Sequence, residues 1–438
     1  MEWYHIVILM LAGMFILMAM KYPIAFVFLT VNLLAFFLLM GGVPGVRTMV
    51  LSLFNSLFTF TFVAVPMFLF MGEILFRSGM AVRSINSLDM LMGRIPGRLS
   101  ILTALAGIIF AATSGSVMAN TAMLGSIMTP EMEKRGYHKT MIFGPITGVG
   151  GLAMLIPPSA LAVLYASIAE ISVGAVLIGG VIPGLVLGFL FIFQIIIRVK
   201  RNPSLAPAYE MKTISSGEKI LSLIKDVFPL GILIFAVIGT ILLGLATPSE
   251  SAALGALGAI ILCFYNRSFS LKLIWECALD TFKICGMTFA IIAASVGFGQ
   301  LLAYTGAVKN ISTLVTALPF SPIAIVILTQ IIVIVFGCFM DVVPIMMITI
   351  PIFFPIIYAL GLNPLWFAVI NLVNLQMANI TPPFGMNLFI MKGVAGPDTK
   401  MGDIYRSVLP FMVCNVIGLA LMLIFPEMVT WLPGLIRN

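Results

Sequence analysis

The chain has 438 residues, of which 61% are hydrophobic and only 9% are charged, and its mean hydropathy is +1.18. Soluble domains carry roughly 25% charged residues, so this composition excludes a water-soluble globular protein and predicts an integral membrane protein. The formal net charge of +7 does not favour nucleic-acid binding, because lysines and arginines in membrane proteins mainly mark cytoplasmic loops.

Apolar runs that approach the roughly 20 residues needed to cross a bilayer recur from the N-terminus onward. The first run lacks a basic segment before it and a small-residue cleavage site, so we interpret it as a retained span and not as a signal peptide. The clearest runs are Tyr4–Met20, Ile24–Met40, Val181–Ile197, Phe228–Leu245 and Phe411–Phe425. The five cysteines lack CxxC spacing, and His5 and His138 are far apart, so neither residue type predicts a metal site.

A short polar break interrupts the apolar sequence between Arg98 and Glu131. Leu99–Ala112 and Val117–Met132 are apolar, and Thr-Ser-Gly-Ser lies between them. Basic residues at both ends place these ends on the same, cytoplasmic side. We therefore predict a hairpin over about residues 99–133 that enters the membrane and returns. Non-helical backbone at that depth requires surrounding protein or a water-filled cavity.

Two apolar segments, over about residues 141–167 and 364–390, each contain a Pro-Pro pair. The pairs are Pro157-Pro158 and Pro382-Pro383. Such a pair removes two amide donors and clashes with the preceding turn, so we predict two discontinuous helices. Carbonyl groups before a break suit Na⁺, and amide groups after it attract a carboxylate. A simple kink is the alternative, but the Ser, Thr and Asn beside both breaks favour a binding site.

A second hairpin is predicted over about residues 322–358, with Asp341 at its tip. Asp341 lies between Phe339-Met340 and Val342-Val343, and charge at membrane depth is costly and indicates function by default. A solvated loop or a helix cap is the alternative interpretation.

Prolines reveal an internal repeat, because their positions in the two halves differ by a nearly constant interval. Six of the nine prolines up to Pro183 coincide with a proline of the second half: Pro23 with Pro248, Pro96 with Pro322, Pro130 with Pro355, Pro157 with Pro382, Pro158 with Pro383, and Pro183 with Pro410. We predict repeats over residues 1–198 and 227–438, joined by a basic cytoplasmic linker over 199–226. Five spans and one hairpin in each half would insert the second half inverted, although Lys309 then lies on the outer side.

The order of these motifs resembles the large membrane subunit of tripartite ATP-independent periplasmic (TRAP) transporters. The motifs are Pro66–Gly72, Ser114–Ser116, Gly150–Ser159, Met340-Asp341 and Thr381–Gly385, and the likeness covers essentially the whole chain. The resemblance implies an all-α, inverted-repeat, elevator-type transporter, in which hairpins and broken helices slide against a scaffold. It also implies sodium-driven import of an organic acid, such as a C4-dicarboxylate or sialic acid, by a multi-pass protein of the bacterial inner membrane.

The resemblance further implies two Na⁺ sites, with Na⁺ as coupling ion and no other cofactor. The first site would comprise Ser114, Ser116, Gly150, Gly151, Pro157 and Ser159, and the second Asp341, Asn379, Thr381 and Pro382. Asn120, Thr121 and Asn387 are predicted to contact substrate. Met118 and Asn120 depart from the run of small residues expected there, which leaves the substrate's identity open.

The implied partners are a small four-helix membrane subunit and a periplasmic substrate-binding protein. The chain begins close to its first span, so we expect the small subunit to be a separate polypeptide. A stand-alone Na⁺-coupled dicarboxylate or anion transporter of the same hairpin architecture is the alternative.

A channel would need a continuous polar stripe, and an intramembrane enzyme would need paired Asp residues or a Ser with a nearby His. No such pattern occurs near Ser114, Ser116 or Ser159, so we expect no enzymatic activity.

Overall fold

The computed structural model describes residues 2–92, 95–207 and 215–436, and every regular element within them is helical. Seven of the described helices are long and apolar enough to cross a membrane. These findings confirm the all-α class that the family resemblance implied.

The helices of the first half alternate long apolar segments with short ones. They are α1 (Trp3–Ala19), α2 (Ile24–Leu39), α3 (Val43–Leu57), α4 (Ala64–Arg77), α5 (Met80–Leu91), α6 (Arg98–Ser114), α7 (Val117–Lys134), α8 (Lys139–Gly150), α9 (Ala160–Ile168), α10 (Val173–Gly179) and α11 (Val181–Arg201).

The helices of the second half follow a similar order. They are α12 (Ser216–Ser222), α13 (Phe228–Leu242), α14 (Pro248–Tyr265), α15 (Leu271–Tyr304), α16 (Ala307–Thr316), α17 (Pro322–Gly337), α18 (Val342–Ala359), α19 (Pro364–Ala378), α20 (Met386–Val394), α21 (Met401–Ile424) and α22 (Glu427–Thr430).

The shift along the chain that places Pro157 on Pro382 also brings the bounds of most helices in the two halves close together, for example α7 onto α18 and α8 onto α19. One pair differs, because α15 is a continuous helix of 34 residues where the first half has α3 and α4. Phe58 and Thr59 separate α3 from the 3-10 turn that leads into α4. The assignment of residues 1–198 and 227–438 to two inverted repeats stays a prediction.

Both predicted hairpins are pairs of packed helices, α6 with α7 and α17 with α18. At the first tip, Gly115 has a φ of +57°, a left-handed conformation that glycine adopts without steric cost and that ends α6. At the second tip, residues 338–341 separate the two helices. Ser321 caps α17 by accepting a hydrogen bond of 3.3 Å from the Ala324 amide.

The two discontinuous helices lie at the centre of the protein. Every residue of α8 from Met141 to Gly150 and every residue of α19 from Trp366 to Ala378 is buried. Each helix ends before its Pro-Pro pair, and both Pro-Pro bonds are cis.

The two halves meet through these central helices. A Cβ atom on Gly151 would lie 2.4 Å from Gln376 Cγ, and these two residues occupy equivalent positions in the proline-defined repeat. A Cβ atom on Gly148 would lie 2.5 Å from a ring carbon of Phe411 in α21. Glycine is therefore required at both contacts, and the hairpins and broken helices of the two halves form one closely packed body.

The predicted linker is largely helical where the structure describes it. Residues 208–214, which include Glu210 and Lys212, lie outside the described residues. The segment that follows packs on α5, where Ser87 Oγ donates a hydrogen bond of 2.7 Å to Asp226 Oδ2. Ser84 Oγ also donates to the backbone carbonyl of Asp226 at 2.9 Å. These hydrogen bonds hold the end of the linker against α5. The charges in the linker sequence did not predict this contact.

Candidate functional site

A cavity of about 70 Å³ lies between the two hairpin tips. Ser116 of the first tip and Asp341 of the second tip both line it, together with Asn379 at the end of α19. The opposite wall comes from α4, α9 and α15 and is mostly apolar, with Thr288 as a polar exception. The chain therefore brings both tips and one helix break to a single cavity.

The first tip is held by its own serines. Ser116 Oγ accepts a hydrogen bond of 3.3 Å from the Ala119 amide and so caps α7. Ser114 Oγ donates a hydrogen bond of 3.2 Å to the Ser116 carbonyl. The C-terminus of α6 and the N-terminus of α7 thus meet at the tip, and they offer carbonyl oxygens and amide groups respectively.

The first tip touches the first Pro-Pro break. A Cβ atom on Gly115 would lie 3.4 Å from the carbonyl oxygen of Pro158. Ser159 Oγ accepts a hydrogen bond of 3.2 Å from the Ala162 amide and donates one of 3.0 Å to the Met154 carbonyl, which caps α9. The predicted site members Ser114, Ser116, Pro157 and Ser159 therefore belong to neighbouring segments.

Gly150 and Gly151, also predicted for the first Na⁺ site, have different neighbours. A Cβ atom on Gly150 would lie 1.9 Å from Thr121 Oγ1 and 3.4 Å from Asn387 Nδ2. Gly151 contacts Gln376 of α19. The structure thus places these glycines against α7, α19 and α20, and their role as ion ligands stays a prediction.

The second tip touches the second Pro-Pro break in a corresponding way. Cys338 Sγ donates a hydrogen bond of 3.4 Å to the Pro382 carbonyl. Asp341 occupies the N-cap position of α18, but its side chain accepts no capping hydrogen bond. Its carboxylate interacts with the Val342 amide at the start of α18 and also lines the cavity, where a ligand can reach it.

The other members of the predicted second site differ in their hydrogen bonding. Asn379 is 7% exposed, and its Oδ1 atom has no hydrogen-bond partner. Thr381 Oγ1 donates to the Met377 carbonyl at 2.8 Å, so its lone pairs remain available as acceptors. A buried amide oxygen without a donor is costly, which makes the Asn379 side chain a candidate ligand.

The three residues predicted to contact substrate are fully buried and do not line the cavity between the tips. Asn120 Nδ2 donates a hydrogen bond of 3.3 Å to the Gly107 carbonyl, and Asn387 Nδ2 donates one of 3.1 Å to the Thr147 carbonyl. Thr121 lies against Gly150. The structure brings Thr121, Gly150 and Asn387 together, and contact of the three predicted residues with substrate stays a prediction.

Sequence reasoning missed most of the polar side chains on α19. Asn371 Nδ2 donates a hydrogen bond of 2.9 Å to Tyr165 Oη, and Gln376 Nε2 donates one of 3.2 Å to Asn415 Oδ1. All four of these residues are fully buried. Asn and Gln residues in such an apolar segment could have indicated buried hydrogen bonds. Their partners depend on tertiary packing, which the sequence does not show.

A site built from protein thiolates, imidazoles and several carboxylates is not supported. Among the described residues, no group of three His, Cys, Asp or Glu side chains could hold a metal ion. Four of the five cysteines are buried, and Cys338 is half-buried. The oxygens around the hairpin tips are instead the neutral and singly charged donors that suit a monovalent cation.

Known proteins resemble this chain over most of its length. Residues 11–428 match the family described as "Tripartite ATP-independent periplasmic transporter, DctM component". The chain is 34% identical over 400 residues to the C4-dicarboxylate TRAP transporter large permease protein DctM of Pseudomonas aeruginosa, covering 91% of this chain and 90% of that protein. It is 30% identical over 387 residues to the isethionate TRAP transporter permease protein DctMQ of Oleidesulfovibrio alaskensis, covering 87% and 58% respectively.

The crystal structure of the Alcanivorax borkumensis YdaH transporter has a similar fold, with a TM-score of 0.64. The similarity covers 91% of this chain and 96% of that chain at 13% sequence identity, so it bears on the fold alone. The family match spans nearly the whole chain. This multi-pass membrane protein therefore belongs to the DctM component family, the large permease subunits of the TRAP transporters.

Proposed function

We propose that this chain is the permease of a Na⁺-coupled TRAP transporter that imports an organic acid across the bacterial inner membrane. The observation that carries the proposal is the shared cavity, which Ser116, Asp341 and Asn379 all line. Repeat-related tips that meet at one cavity are typical of secondary transporters, whose ion and substrate sites adjoin.

The helix ends around the cavity suit a carboxylate and a sodium ion together. The N-termini of α7 and α18 lie at the two tips, and free amide groups at helix N-termini attract anions. The Asp341 carboxylate and the Asn379 amide oxygen are suitable sodium ligands. Sodium at Asp341 would cancel its charge and so strengthen binding of an anionic substrate, and this reciprocal effect is the basis of coupling.

Transport by an elevator movement is the second part of the proposal. The hairpins and broken helices, including α9, pack closely as one body, and α4 and α15 form the rest of the opposite wall of the cavity. Sliding of that body against α4 and α15 would carry both tips and their ligands together without unpacking the centre of the protein.

The tripartite family description supports two partners, a small membrane subunit and a periplasmic binding protein that delivers the substrate. The relatives named above are described as transporters of C4-dicarboxylate and of isethionate. Because the substrates of relatives differ, we propose only the class, an organic acid. Coupling by Na⁺ alone needs no other cofactor, and we propose no enzymatic activity.

Reconstitution in liposomes tests the proposal. We expect uptake of a radiolabelled organic acid, screened over succinate, isethionate and sialic acid, only when a sodium gradient, the small subunit and a cognate binding protein are all present. Uptake by this chain without partners would instead support the stand-alone transporter. Undiminished uptake after potassium replaces sodium would refute sodium coupling.

A further inference from the structure

A second and smaller cavity, of about 20 Å³, lies behind the first hairpin tip. Thr113, Ser114 and Ser116 of the tip line it, and Glu73 of α4 lines it from the other side. A cavity needs about 10–15 Å³ to hold one water molecule, so this volume accommodates a single water molecule or a small ion.

The backbones of α4 and the first tip are in direct contact at this cavity. A Cβ atom on Gly72 would lie 2.5 Å from the carbonyl oxygen of Ser114, so only glycine permits this approach. The last carbonyl groups of a helix lack intrahelical donors and carry partial negative charge. The C-terminal end of α6 therefore adds to the negative potential on this side of the tip.

Glu73 brings a full negative charge to the same place. Its side chain is only 15% exposed, and Glu73 Oε2 lies 3.5 Å from Arg77 Nε. Arg77 is itself shared, because its Nη1 lies 3.1 Å from Glu276 Oε2 and its Nη2 contacts Asp280. Lys283 pairs with Asp280 at 2.9 Å. Three carboxylates thus face two cations, which leaves one unbalanced negative charge in the group that includes Glu73.

We propose that Glu73 is a ligand of a monovalent cation, Na⁺, held in this cavity with the hydroxyl groups of the first tip. The proposal rests on the proposed sodium coupling and adds to the predicted first site a residue from outside the hairpin. A single carboxylate with neutral oxygens matches one positive charge, whereas divalent cations such as Ca²⁺ favour several carboxylates. Because three carboxylates share two cations, one negative charge beside the largely buried Glu73 side chain is uncompensated, and bound Na⁺ would compensate it.

The position of Glu73 makes this site sensitive to movement. Glu73 lies on α4, whereas Thr113, Ser114 and Ser116 lie on the hairpin. If the hairpin slides past α4, the ion loses its charged ligand, and its affinity falls. Release of the ion would thereby be linked to the movement of the transport body.

Sodium-dependent thermal stabilisation of the purified chain in detergent tests the proposal. The chain is titrated with NaCl at constant ionic strength, with choline chloride as the replacement salt. In the Asp341→Asn background, which removes the charge of the second site, we expect Glu73→Gln to raise the half-saturating Na⁺ concentration by about tenfold or more. Asp398→Asn in the same background is the matched control, because Asp398 is exposed and belongs neither to this ion group nor to the cavity lining, and we expect it to leave the half-saturating concentration unchanged.

The outcomes separate this inference from the proposed function. An unchanged half-saturating concentration in Glu73→Gln, with sodium stabilisation intact, would overturn the role of Glu73 and leave the function standing. Absence of any sodium effect in the unmodified chain would refute both. If Glu73→Gln does not fold, Ala119→Leu fills the cavity from α7 and leaves Glu73 itself unchanged. We expect it to weaken sodium binding, and unchanged binding would also overturn the proposal.

Discussion

At the first hairpin tip Ser116 is the N-cap residue of α7, and at the repeat-related position of the second tip Asp341 is the N-cap residue of α18. Ser116 uses its side chain to cap its own helix, whereas Asp341 makes no capping bond and faces the shared cavity. The first tip instead has the carboxylate of Glu73 beside it, supplied by α4. Each tip therefore has one acidic group, but only the second tip carries its own.

The two broken helices, α8 and α19, also differ in the side chains that they bury. α8 has small residues where it passes its neighbours, such as Gly148 against Phe411. α19 carries amide side chains at buried positions, such as Asn374, whose Nδ2 atom donates to the Gln330 carbonyl at 2.7 Å. The first half thus contributes close backbone packing, and the second half contributes polar side chains. In the predicted repeat, the two broken helices therefore share their shape and differ in their chemistry.

The largest effect should follow from Asp341→Asn, which keeps the shape of the side chain and removes its charge. Loss of a charged partner from a buried ion costs about 3 kcal/mol, which corresponds to roughly a hundredfold in affinity. We expect the sodium concentration for half-maximal uptake to rise accordingly in liposomes that contain the complete transporter.

Asp398→Asn provides the matched control, since Asp398 is exposed and lies outside both tips. Its sodium dependence should equal that of the unmodified protein. Equal sodium dependence in Asp341→Asn would show that the second tip binds no ion through its carboxylate, and the contrast between the tips would lose its functional meaning.

The sequence predicts those features whose residues lie close together along the chain, and it does not predict contacts between distant helices. The hairpin tips and Pro-Pro breaks were predictable because prolines, glycines and polar residues interrupt apolar runs locally. The partnership of Gly150 with Thr121 and that of Glu73 with the first tip were not. They join residues on helices whose crossing depends on packing, and no local pattern in the sequence specifies which surfaces meet.

An intermediate effect is expected from Gly150→Ala. The new Cβ atom would lie 1.9 Å from Thr121 Oγ1, and overpacking of a well-filled interior costs about 1–3 kcal/mol. We expect a lower melting temperature in detergent. Leu375, which occupies the repeat-related position of the second half, already carries a large buried side chain, so this requirement for glycine belongs to the first half alone.

Two further variants test whether the contact with Thr121 causes the loss of stability in Gly150→Ala. Gly402→Ala places a methyl group on an exposed helical glycine with nothing within 4 Å, and we expect no loss of stability there. Gly150→Ala combined with Thr121→Ala removes the closest contact and should recover part of the melting temperature. A double variant as unstable as Gly150→Ala would place the strain elsewhere.

The smallest effect should come from Ser116, and it separates a cap from an ion ligand. Ser116→Ala removes the bond that Ser116 Oγ accepts from the Ala119 amide, and loss of an N-cap costs about 1 kcal/mol. Asn caps about as well as Ser, so Ser116→Asn should keep the stability within about 0.5 kcal/mol. Melting in sodium-free buffer measures this cap alone, because no ion is then available to the tip. If Asn destabilises as much as Ala, the serine hydroxyl has a role at the first tip beyond capping, and the two tips would resemble each other more closely than their hydrogen bonds indicate.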